Sequence, residues 1–189
     1  MIIVGLDPGV RRLGYSVVEI EGLDKCCLRD LGVLKVDLVS KSMGDRLEYI
    51  HEEVTKILKQ WNPRFVGLEN AVNFKNVSSA FKLTEARGVI RLACFQTLAD
   101  MDARLLELSP TAIKKESTGS GLGNKENVKK SLSLRFPNLT NWIEDHEKQN
   151  NIKLSHDAFD ALAIAWTTWA KVRQKQRIGS RVSMSLAQR

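Results

Sequence analysis

The sequence predicts an α/β domain: a five-stranded mixed sheet with helices on both faces. Two observations carry this. Three extended apolar runs come first, close together, and then helical stripes alternate with two further short runs. Two of those runs stop on a carboxylate, at Asp7 and at Glu69, as strands do when they hold an acid out at a sheet edge.

Residues 1–7 read as a buried strand, followed by the turn Pro8-Gly9. Residues 14–20 and 27–36 read as the second and third strands, and the short connections suggest an antiparallel meander. Over residues 43–61, Leu47, Ile50, Val54, Ile57, Leu58 and Trp61 recur at three- and four-residue spacing. That is a helix with one apolar stripe, with Ser42 as its N-cap and Asn62-Pro63 as its stop. A helical crossover lets the fourth strand, 64–69, lie beside the first.

Residues 70–78 read as a polar loop and 79–101 as a long helix. The fifth strand spans 103–108, and Ser109-Pro110 opens a short helix. A glycine-rich loop at 119–123 leads to a helix over 125–136, ended by Pro137. Residues 138–154 read as polar and irregular. The last helix runs from His156 to about Gln176, with Ser155 as its N-cap. The expected organisation is one domain over 1–176 and a basic, flexible tail over 177–189.

Composition narrows the function classes. A formal charge of +7 over 189 residues favours polyanionic partners. The charge is patterned: Lys114, Lys115, Lys125, Lys129 and Lys130 fall in one region, while Lys171, Arg173, Lys175, Arg177, Arg181 and Arg189 fill the C-terminal end. No apolar run reaches the roughly 20 residues that span a bilayer, and the N-terminus has no signal-peptide pattern. No membrane association and a cytoplasmic location are expected. Cys26, Cys27 and Cys94 show neither disulfide nor zinc spacing and read as reduced packing thiols. The 119–123 loop lacks the ending of a phosphate-binding loop and is read as a basic loop that touches a nucleic-acid backbone.

The chemistry is expected from four acids. Asp157 and Asp160 lie three apart at the start of a helix, so they share a face. If the first and fourth strands are parallel neighbours, Asp7 and Glu69 emerge at the same edge. Carboxylates held that close are unfavourable unless they share a cation. An oxygen-only donor set, with His156 as the one imidazole nearby, favours Mg²⁺ or Mn²⁺ over zinc. One or two such ions would serve phosphodiester hydrolysis. Arg11 and Arg12, beside Asp7, are candidates for bracing a phosphate.

Asp7-Pro8-Gly9 followed by Gly14-Tyr15, the run Val66-Gly67-Leu68-Glu69, and the run Asp157-Ala158-Phe159-Asp160-Ala161-Leu162 occur in that order. Together they resemble the RuvC family of Holliday junction resolvases, over residues 1 to about 170. The resemblance implies a ribonuclease H-like fold and a homodimer. It implies a Mg²⁺-dependent crossover junction endodeoxyribonuclease that makes paired nicks across four-way junction DNA, in homologous recombination and repair. A branch-migration helicase is the further partner it implies. Asp7, Glu69, Asp157 and Asp160 match the family's metal-binding acids, and Lys114 and Lys125 its functional lysines. Residues 85–89 match the segment that builds the dimer interface. The sequence departs from the family at Val72, where members often carry a stacking Phe, and Phe74 is the nearest aromatic substitute. The alternative reading is a ribonuclease H-like nuclease acting on another branched or hybrid substrate.

Overall fold

The computed structural model describes residues 1–22, 25–38, 42–70, 77–119, 125–150 and 153–186. Strands β1 (Ile2–Asp7), β2 (Leu13–Glu21) and β3 (Lys25–Leu34) form the antiparallel meander expected from their short connections. Helix α1 (Met43–Trp61) then carries the chain across one face. Ser42 caps its start by accepting from the Asp45 amide, and Asn62 ends it in the left-handed conformation, donating to the Leu58 carbonyl.

The crossover places β4 (Phe65–Glu69) beside β1 and parallel to it. Helix α2 (Val77–Leu98) makes a second crossover, and β5 (Arg104–Leu108) pairs parallel to β4. The strand order is β3-β2-β1-β4-β5. Helices α3 (Pro110–Thr118), α4 (Lys125–Arg135), α5 (Leu139–Asn150) and α6 (His156–Leu186) complete the chain.

The sheet separates two cores, one per face. Val4, Leu6, Val17, Val66 and Leu68 pack against Ile50, Val54 and Leu58 of α1 and Ala86, Ile90 and Cys94 of α2. Ile3, Val18 and Ile20 pack on the other face, with Leu162, Ile164 and Trp169 of α6 and with Leu132 and Phe136 from the α4 region. Alternate residues of one strand therefore serve opposite cores, as a two-residue side-chain period requires.

Two sequence expectations are corrected here. Residues 139–150 are helical rather than irregular. Leu139, Trp142, Ile143 and His146 recur at helical spacing, and Leu139 is fully buried. The polar residues between them hide that stripe. Helix α6 does not stop near Gln176; it continues to Leu186. No proline interrupts that stretch, and a lone Gly179 weakens a helix without ending one. Among the described residues no helix is long and apolar enough to cross a membrane.

Candidate active site

Strand period decides where the first two acids face. Ile3, Gly5 and Asp7 alternate with Val4 and Leu6, which belong to the α1/α2 core. Asp7 is therefore directed to the α6 side. In β4 the same alternation puts Phe65, Gly67 and Glu69 opposite Val66 and Leu68. Because Gly5 pairs with Gly67 and Leu6 with Leu68, the two parallel strands end together on Asp7 and Glu69.

Small residues let α6 reach this edge. A Cβ on Gly5 would lie 2.2 Å from the Ala161 carbonyl oxygen, and one on Gly67 would lie 2.0 Å from Thr168 Oγ1. A Cβ on Gly14 would lie 2.1 Å from the Asp157 carbonyl oxygen and 3.3 Å from Asp7 Cβ. The Ser16 hydroxyl donates to the Ala161 carbonyl at 2.8 Å, fixing the same approach by a buried hydrogen bond. Helix α6 answers with its own small residues, Ala158, Ala161 and Ala165, all buried. The result is a helix lying directly on β1, β2 and β4, with Asp157 and Asp160 in its first turns beside Asp7.

Electrostatics report this gathering. Burial, the largest cause, pushes the Asp7 carboxyl up to about 8, and the charges of Glu69, Asp160 and Asp157 push the same way. Glu69 is also raised, first by burial and then by Asp160, while its hydrogen bond with Asp7 and the charges of Lys114 and Arg87 pull it back. The two carboxyls are joined by a hydrogen bond, and burial and like charge push both of them up. Asp157 is held from one side by the Ser155 hydroxyl, which donates to Oδ2 at 2.9 Å. Among the described residues no three acidic or imidazole side chains already converge tightly enough to chelate an ion. The Asp7 and Glu69 carboxyls are instead turned onto one another.

The remaining candidates fall around this cluster. Lys114, exposed on α3, is close enough to Glu69 to lower its pKa. Arg11 and Arg12 rim an open cleft of about 590 Å³ lined also by Asp7, Pro8, Asp37, Leu83 and Asp157. Arg11 lies 3.9 Å from Asp37, in a pair that is largely exposed. His156 is exposed at the first position of α6 and is not among the cleft-lining residues. Val72, Phe74 and the glycine-rich stretch 120–124 lie outside the described residues, as does the side chain of Lys125.

Sequence reasoning missed three kinds of residue that shape this acidic edge. Arg87 sits mostly buried on α2 and donates to Glu107 at 2.8 Å, placing a cation behind Glu69. Ser155 was expected to cap α6 but spends its hydroxyl on Asp157. The glycines of β1, β2 and β4 offer a strand no side chain to pack, and their use shows only once the close helix is in place. The recurrence of Gly at 5, 14 and 67, each two or seven residues from an acid, is the one signal that could have exposed them.

A sheet of order β3-β2-β1-β4-β5, with acids where its central parallel strands end under a close-packed helix, defines a ribonuclease H-like protein. The family model described as crossover junction endodeoxyribonuclease RuvC matches residues 3–168, and the chain belongs to that family. It is 37% identical over 173 residues to the crossover junction endodeoxyribonuclease RuvC of Thermosipho melanesiensis, covering 92% of this chain and 99% of that one. A solved structure of T. thermophilus RuvC in complex with a Holliday junction substrate superposes with a TM-score of 0.75 at 25% identity, covering 93% of this chain and 96% of that one. The yeast mitochondrial Holliday junction resolvase shares the fold at 13% identity, with a TM-score of 0.68 and 95% and 82% of the two chains covered.

Proposed function

We propose that this chain is an endodeoxyribonuclease that resolves four-way DNA junctions in recombination and repair, by paired, metal-dependent phosphodiester hydrolysis. The observation that carries the reading is the meeting of Asp7 with Glu69 at one strand edge, with Asp157 and Asp160 brought beside them by α6, in a chain of this family.

The donor set fits a hard divalent cation. It offers carboxylate oxygens only, and the crowding that lifts Asp7 to about 8 is the kind that a shared cation relieves. We assign Asp7, Glu69, Asp157 and Asp160 to hold Mg²⁺, with Mn²⁺ able to substitute, as one or two ions. When bound, the metal supplies activation of water and stabilisation of the leaving oxygen. The chain's own groups do the rest. Lys114, with Lys125 across the glycine-rich loop, contacts the backbone near the scissile phosphate; such contacts position DNA without reading sequence. Arg11 and Arg12 hold the strand along the cleft rim. Ser155 fixes the orientation of Asp157, and Arg87 keeps a positive charge behind Glu69.

A homodimer supplies the two sites that paired nicks require. Val77, Phe81, Leu92 and Phe95 are exposed along α2, at 72%, 67%, 52% and 74%. Their spacing makes one stripe that passes through the exposed Glu85 and Gly88, in the segment matched to the family interface. Apolar stripes of this kind on a folded surface mark protein contacts. A branch-migration helicase as partner rests on family membership. The cytoplasm is the compartment assigned, consistent with three free cysteines.

The test is cleavage of a mobile four-way junction with Mg²⁺, mapping both nicks. Asp7→Asn should bind the junction in a gel shift and fail to cut it. Cutting at the wild-type rate by that variant would overturn the assignment of the acids.

A further inference from the structure

Six of the seven formal positive charges of this protein lie in residues 161–189, which contain six Lys and Arg and no Asp or Glu. The first 160 residues are nearly neutral, with 23 basic against 22 acidic side chains. The family match ends at residue 168, yet α6 continues without a break to Leu186. The last core residue of α6 is Val172. Beyond it the helix carries Lys175, which is exposed, and then positions 177 and 181, both arginine.

Residues 173, 177 and 181 are spaced four apart and lie on successive turns of one side of that helix; Lys171 and Lys175 lie on the other side. Like charges at this spacing weaken an isolated helix, so the arrangement is favoured when a polyanion neutralises it. Arg181 is 21 residues from Asp160, about 30 Å along the axis and close to one turn of duplex DNA.

We propose that the C-terminal extension of α6 is a second DNA-backbone contact, which grips duplex remote from the cutting site. It rests on the reading that this chain binds four-way junction DNA. The partner chemistry is the phosphate backbone rather than base edges, because positions 171 and 175 lie on the opposite flank of the helix from 173, 177 and 181, and cations spread over both flanks suit a continuous line of phosphates. The arm adds affinity and depends on duplex length. It takes no part in bond cleavage.

The experiment uses the full chain and measures junction binding by fluorescence anisotropy in EDTA, across a series of salt concentrations. The variant carries Lys175→Gln, Arg177→Gln and Arg181→Gln, all beyond the last core residue. A protein that loses three phosphate contacts should show a log–log salt slope shallower by up to about 2.7 and binding at least about tenfold weaker on long-armed junctions. On junctions with arms too short to reach the extension, the variant and the wild type should bind alike. Single-turnover cleavage of a saturated junction should be unchanged, and Arg177→Lys with Arg181→Lys should retain wild-type binding. An unchanged slope on long arms, or an equal loss on short arms, overturns the proposal while leaving the resolvase reading standing. Failure of the wild-type protein to bind any four-way junction defeats that reading instead.

Discussion

The α-carbon of Gly14 on β2 faces the backbone carbonyl of Asp157 so closely that a methyl group there would lie 2.1 Å from the oxygen. The same methyl would stand 3.3 Å from Asp7 Cβ. One missing side chain thus sets the distance between the strand acids and the helix acids. Gly14→Ala should push the start of α6 off the sheet and cost about 1–3 kcal/mol of stability. Cleavage should fall more than junction binding, because Asp157 and Asp160 move while the basic surface remains. Thermal melts paired with cleavage and gel-shift assays check this; a fully active alanine variant would contradict the packing.

The raised carboxyl of Asp7 predicts a pH dependence in metal-free protein. Its folded pKa, about 8, lies above its ordinary value of 3.8. The folded state therefore holds a proton that the unfolded state has released between those limits. Stability should be greatest at low pH within this window and decline as pH rises toward 8. Melts in EDTA across pH 5 to 8 should show the decline, and Asp7→Asn should flatten it. Added Mg²⁺ should recover more stability at pH 8 than at pH 5, since deprotonated carboxylates are the ligands.

Ser155 tests orientation apart from charge. Its hydroxyl donates to Asp157 at 2.9 Å, and a hydrogen bond to a charged acceptor contributes about 1.5–3 kcal/mol. Ser155→Ala should lower the cleavage rate roughly tenfold or more at saturating DNA, with little change in junction affinity. Ser155→Thr, which keeps the hydroxyl, should restore most of the rate. Equal activity of all three proteins would remove Ser155 from the site.

The exposed α2 stripe gives a separate outcome. Phe81→Glu with Phe95→Glu places like charges where two copies would meet. Sedimentation should shift from dimer to monomer, and paired nicks should become unpaired. Stability of the monomer should change by less than about 0.5 kcal/mol, because both side chains are exposed. A variant that still sediments as a dimer would show that this face is not the interface.

The meander of the first three strands and the place of the fourth beside the first were legible in the sequence because each decision was local. Short connections force a meander, and a helical crossover forces parallel return. The α1 caps at Ser42 and Asn62 were legible for the same reason. Helix α5 was not, since its apolar stripe is diluted by ten charged or amide neighbours in a single polar stretch. Burial of Leu139 against the other core decides it. The C-terminal end of α6 was likewise not legible, because nothing in residues 177–186 names a stop and their mixed basic and polar composition suits helix and coil equally.

By itself the sequence singled out four candidate acids, their order and the strand ends that carry Asp7 and Glu69, because a two-residue period and a turn fix which way such a residue faces. It also determined where positive charge accumulates. Only the tertiary structure decided that Asp157 and Asp160 arrive beside Asp7. That depends on how closely α6 can lie on the sheet, and close approach is a property of Gly5, Gly14 and Gly67 acting together against Ala161, Asp157 and Thr168. Distances between elements far apart in the chain are set by packing, and packing has no signature in the local pattern.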